Sequence, residues 1–213
     1  MRGSALIVAG SVCALAVATG STAQAHLRTV GGSLLDLLAR GDGVVVARVI
    51  EATQDAPESH TRMRRLESLG GEAPRGEFLL GNASSPLRYA KDQRAIVVLK
   101  RSRDRWIAAQ VAGEGLVLAD EKRDRATAAY VASLWKAVQA LEPPPDMAER
   151  LRPGLELPHQ KIRLLSAFDI AELAHHPPGL TPATRRALYE DLEDPNFDPA
   201  ARVVLSGALG ALP

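Results

Sequence analysis

The chain changes its period near Asp120. Upstream, short apolar runs rich in β-branched residues alternate with glycines and charged connections. Downstream, apolar residues recur every three or four positions between prolines. Strands gathered in one half and helices in the other predict an α+β fold, not an alternating α/β one.

In the first half, Ser33 caps a predicted helix, Leu34 to Arg40, with Asp36 in its first turn and Gly41 as its stop. Val44-Val45-Val46-Ala47-Arg48-Val49-Ile50-Glu51 reads as a buried strand. Thr53 to Pro74 mixes Arg62, Arg64, Arg65, Glu67 and Glu72 with Gly70, Gly71 and Pro74. It reads as a long exposed loop, with one helical turn near Arg62 to Leu69. Glu77 to Leu80 predicts a short strand. Ala95 to Lys100 and Trp106 to Val111, joined by Arg101-Ser102-Arg103-Asp104-Arg105, predict a β-hairpin. Gly113 to Gly115 is a turn before a last strand, Leu116 to Ala119. Residues 43 to 120 thus read as a small antiparallel β sheet or barrel of about five strands.

In the second half, Tyr130, Val131, Leu134, Val138 and Leu141 share one helix face. Pro143-Pro144-Pro145 reads as a stop and an extended link. A second long helix is predicted from His159 to His175. Its polar positions are Arg163, Ser166, Asp169 and Glu172, beside a broad apolar flank from Ile162 to Leu173. Thr181-Pro182 and Asp198-Pro199 each start a further helix, Pro182 to Glu193 and Pro199 to Leu212. These short, proline-punctuated helices suggest packed pairs.

The first 25 residues form a separate signal. Arg2 is followed by the apolar run Ala5 to Ala18 and a small-residue exit ending Ala23-Gln24-Ala25. This is the pattern of a secretory signal peptide cut after Ala25, giving a secreted or periplasmic chain that starts at His26. The run falls short of the roughly 20 residues that span a bilayer. Cleavage would leave no membrane span; an uncleaved leader would instead tether the protein as a membrane accessory. Cys13 is the sole cysteine, so the mature chain has no disulfide, thiolate metal site or cysteine nucleophile. The expected division is 1–25 signal peptide, 26–142 β domain with flanking helices, and 143–213 helical region.

The element order resembles that of the netrin-like (tissue-inhibitor-of-metalloproteinase-like) OB barrels, and especially their cysteine-free bacterial exported relatives. It rests on "VVVARVIEA" and "RAIVVLKRSRDRWIAAQ" and covers roughly residues 30 to 142. The tail from His159 is similar in pattern to HEAT-like helices. The resemblance implies a small OB-like barrel followed by packed helix pairs, acting in binding or scaffolding. Protease inhibition does not carry over, because no cysteine remains to meet a target's zinc.

A search for chemistry returns little. Glu172 and His176 stand four apart and, with Asp169, form the one candidate metal set, a conceivable basis for a metal-dependent hydrolase. The competing reading of His175 and His176 is a basic helix C-terminus. No nucleophile elbow or Ser-x-x-Lys set is present, and the glycine pairs lack phosphate-loop spacing. Asn82-Ala83-Ser84 fits a glycosylation sequon.

With Arg2 removed, 25 basic residues face 25 acidic ones, and aromatics are 4% of the chain. That argues against nucleic acid as a partner. The expectation is an exported binding protein with a protein partner and no cofactor. The 53–74 loop and the helical tail are its expected surfaces, and Arg62, Arg64, Arg65, Trp106 and Trp135 its candidate contacts.

Overall fold

A computed structural model describes residues 33–53, 60–81, 89–109, 116–118 and 121–210. The leader, His26, the Asn82 sequon and the Gly113–Gly115 turn lie outside them. Helix α1 (Leu34–Arg40) begins at Ser33, whose hydroxyl accepts the Asp36 amide. Six strands follow: β1 (Gly43–Thr53), β2 (His60–Gly71), β3 (Glu77–Gly81), β4 (Arg94–Ser102), β5 (Arg105–Ala108) and β6 (Leu116–Leu118). Then come helices α2 (Glu121–Gln139), α3 (Pro144–Leu151), a 3-10 turn (Arg152–Glu156), α4 (Gln160–His175), α5 (Pro182–Glu193) and α6 (Pro199–Leu209). The fold is α+β: a closed β barrel followed by helices.

The ring runs β1-β2-β3-β5-β4 and back to β1, and β6 pairs with the start of β4 along the same edge as β5. This is the order of an OB-like barrel. Every neighbouring pair in the ring is antiparallel except β3–β5, which is parallel. An odd ring cannot close with antiparallel neighbours alone, so five strands require one parallel contact. Three register shifts in the β1–β2 ladder bend those strands around the barrel.

Strand β2 corrects the sequence reading. Residues 60–71 are not a loop; they form the longest strand of the barrel. Only Thr61 and Met63 of its first half turn inward and are buried, while Arg62 and Arg64 turn outward. A strand that meets the core with one threonine and one methionine carries little apolar signal. The triple proline is corrected too. Pro143 is the N-cap of α3, with prolines in the first turn, where a missing amide costs nothing.

Strands β1 and β4 are buried on both faces. Val45, Ala47, Val49, Ala95, Val97 and Leu99 fill the barrel together with Met63, Phe78, Leu80 and Tyr89. Val44, Val46, Ile96 and Val98 point the other way into a second core. That core includes Leu34 and Leu38 of α1, Val131, Leu134 and Trp135 of α2, Ile162 and Ile170 of α4, and Leu205 of α6. Helices from both sides of residue 142 share it.

Trp135, 5% exposed, lies over a floor cleared by glycines. A Cβ on Gly70 would meet its Cδ1 at 2.2 Å, and one on Gly71 would meet its Cζ2 at 2.8 Å. Gly70→Ala should therefore lower stability by about 1–3 kcal/mol through overpacking. Urea titration in two backgrounds checks this: in a Trp135→Ala chain the same substitution should cost almost nothing. Equal cost in both backgrounds would show that the ring is not the obstacle.

Candidate functional site

The helices cover one side of the barrel, over β6, the outer face of β4, the start of β1 and the end of β2. Among the described residues, nothing covers the opposite side. There the outward positions of β2, β3 and β5 form one surface, whose register places Arg62 beside Leu79, Arg64 beside Glu77, and Gly81 beside Ile107. Phe78 and Leu80 point into the barrel, so alternation turns Leu79 outward, and it is 53% exposed. Gly81 has no side chain; a Cβ there would lie 3.6 Å from Ile107 Cγ2. Leu79, Gly81 and Ile107 thus make a shallow apolar strip with a notch at the glycine.

Cations surround it. Arg62 reaches Glu51 at 3.9 Å, and Arg64 holds Glu77 with two hydrogen bonds, at 2.6 and 3.2 Å. Arg101 reaches Glu72 at 3.7 Å, and its amide donates to Asp42 Oδ2 at 2.6 Å. Lys100, Arg103 and Arg105 are exposed and form no ion pair among the described residues. The β4–β5 turn passes through Arg103 at φ 54°, holding these charges on a tight hairpin.

The five candidate contacts separate in space. Arg62 and Arg64 stand on the open face. Arg65 is half-buried, its amide bonded to the Gly76 carbonyl. Trp106 is half-buried, packing on the barrel core from β5. Trp135 is a core residue, 5% exposed. Sequence reasoning passed over Leu79 and Ile107. The inward pair Phe78 and Leu80 was the available signal for the first.

The candidate metal set does not assemble. Asp169 is 1% exposed, whereas Glu172 and His176 are exposed, and His176 has left the helix as the α4 C-cap. Among the described residues no group of three histidines, cysteines or carboxylates is placed to hold a metal ion. Asp169 instead docks α1 onto α4. Its Oδ2 accepts the Leu35 amide at 3.0 Å, while Oδ1 has no partner among the described residues. Burial pushes its pKa up to about 7, against the pull of the Ser33 hydroxyl and the Leu35 and Leu34 amides; Glu172 adds to the rise.

Ser166, one turn before Asp169, is also buried. Its hydroxyl pairs with Tyr130 at 2.8 Å, and Tyr130 also donates to the Leu151 carbonyl. Burial raises the Tyr130 pKa. Gly154 leaves room for this pair, since a Cβ there would fall 2.3 Å from Ser166 Oγ. His159 caps α4: Nδ1 accepts the Ile162 amide at 3.4 Å, and Nε2 donates to the Val117 carbonyl at 2.9 Å, tying β6 to the helices.

A cavity of about 100 Å³ lies between barrel and α2, lined by Glu67, Arg94, Asp124 and Arg125 with Val46, Leu118 and Ala128. It is small beside the several hundred cubic ångströms of a typical ligand pocket. No described helix is long and apolar enough to cross a membrane.

The fold defines an OB-like barrel with an α-helical C-terminal region. No protein-family model and no curated protein matches the chain.

Asp169 gives a pH test. Its pKa is raised from 3.8 to about 7 in the folded chain. Between those values the unfolded chain ionises and the folded chain does not, so stability falls as pH rises through the window. Each pH unit of that window is worth about 1.4 kcal/mol, and the penalty is fully present above it. Asp169→Asn keeps an acceptor for the Leu35 amide without the charge. Its urea midpoint should match that of the wild type near pH 4 and exceed it near pH 8. A variant less stable than wild type at pH 8 would contradict this account.

Proposed function

We propose that this chain is an exported, non-enzymatic protein that binds a protein partner in the envelope or extracellular space. The observation that carries the reading is the barrel face that the described helices leave uncovered, with a half-exposed leucine set among arginines. An exposed leucine alone is ordinary. Here it joins Ile107 and the bare backbone of Gly81 on a rigid sheet, a combination suited to contact with another surface.

Burial of the reactive-looking groups supports the non-enzymatic part. Asp169, Tyr130 and Ser166 are buried and hold helices together. Export rests on the leader, Arg2 through Ala25.

Two measurements test the proposal. Intact mass of protein recovered from the native envelope or medium should correspond to a chain starting at His26; a cytosolic chain retaining Met1 would remove the export claim. Mature chain used as bait should retain one defined partner from the envelope, and Leu79→Glu should lose it while keeping its unfolding midpoint. Retention by the variant, or absence of a defined partner, would contradict docking through this face.

A further inference from the structure

We infer that the open face recognises an acidic segment of the partner, one that places an apolar side chain in the notch at Gly81 and carboxylates against Lys100, Arg103 and Arg105. This deepens the binding reading and rests on it. The argument is charge complementarity around a defined apolar floor.

The floor comes first. Leu79 and Ile107 flank a position with no side chain, and a Cβ at Gly81 would lie in ordinary contact distance of Ile107 Cγ2 and the Trp106 carbonyl. An incoming aliphatic group would meet carbon on two sides. Phe78, Leu80 and Ala108 lock the same strands from inside, so the floor is pre-formed.

The rim decides the sign. On the β2 side the cations are answered within the molecule, Arg62 by Glu51 and Arg64 by Glu77. On the hairpin side three cations have no such answer among the described residues. Extending the β3–β5 register by one step puts Arg105 beside Leu79, and Lys100 pairs with Ile107 across the β4–β5 ladder. Unanswered positive charge therefore borders the apolar strip along one edge. A partner that is acidic next to its apolar anchor gains on both counts, and a basic one is repelled.

The same geometry disfavours nucleic acid. Trp106 is half-buried against the barrel core, and Arg62 and Arg64 are already paired within the molecule.

The test uses a fluorescein-labelled peptide, Glu-Glu-Leu-Glu-Glu-Leu-Glu-Glu, titrated with mature protein and read by anisotropy. Control peptides carry Lys for Glu or Ser for Leu, and a single-stranded DNA oligonucleotide serves as competitor. The acidic leucine peptide should bind, and both control peptides should bind about tenfold more weakly or worse. Affinity should fall as salt is raised from about 50 to about 300 mM. Reversing the rim (K100E, R103E and R105E together) should cost at least about tenfold and remove most of the salt dependence. Gly81→Val, which fills the notch, should weaken binding with the rim intact. Reversal of Arg185 and Arg186 on α5 should change nothing. Each variant's unfolding midpoint is measured alongside, so that misfolding is not scored as lost binding.

Failure of the peptide to bind wild type, equal binding of the Lys peptide, indifference to rim reversal, or displacement by the oligonucleotide would each overturn the inference. If the native partner is still captured through Leu79 in those cases, the docking reading stands and only its acidic chemistry falls. If capture fails as well, both fall.

Discussion

The ladder between β1 and β4 is the interaction on which the rest of the structure depends. Val44 faces Val98, Val45 faces Val97, Val46 faces Ile96 and Ala47 faces Ala95. Alternate members of each strand serve the barrel interior and the helix layer, so two cores share one pair of strands. Burial of each valine or isoleucine in it stabilises by about 1.5–3 kcal/mol. Loss of the ladder would open both cores together.

A strand that is apolar on both faces has a weakness: slipping by one residue still buries apolar groups, so pattern alone does not fix the register. Asp42 supplies the missing constraint. Its amide donates to the Leu99 carbonyl at 2.7 Å, its carbonyl accepts the Glu72 amide at 2.8 Å, and its carboxylate accepts the Arg101 amide. One residue thereby pins the ends of β1, β2 and β4. Gly43 follows because β2 passes so close: a Cβ there would overlap the Glu72 carbonyl. A slipped register would break all three bonds and bring a side chain into that contact.

How much of this was legible in the sequence depends on how each element meets the core. Helix α1 and helix α5 were read to the residue, because Ser33 and Thr181 announce their starts. The doubly buried strands were equally plain. Strand β2 was not, since most of its surface faces water and its inward face needs only small or flexible groups. Helix α4 deceived differently. Arg163, Ser166, Asp169 and Glu172 look like one solvated stripe, yet Ser166 and Asp169 are buried. A buried polar group is tolerable when partners exist, and these lie far away in sequence, at Tyr130 and Leu35. No local pattern encodes such pairings. The same limit hid the open face, where Leu79 and Ile107 meet only through the parallel contact that ring closure requires.

The helix layer also explains where charge ends up. Sheltering β4, the start of β1 and the end of β2 leaves β3, β5 and the hairpin as the barrel's solvated side, and Lys100, Arg101, Arg103 and Arg105 stand on that hairpin. Residues 43–118 hold 12 basic and 9 acidic side chains, whereas residues 143–213 hold 7 and 10. A chain that is neutral in sum is therefore polar in distribution. Several of the tail's acids are held internally: Asp191 accepts two hydrogen bonds from Arg152, and Asp198 pairs with Arg163 while capping α6. Those carboxylates are committed to packing the helices and cannot turn to answer the hairpin. The unanswered charge at Lys100, Arg103 and Arg105 is thus a consequence of how the two halves are built, and it stays directed outward on the side that the helices leave bare.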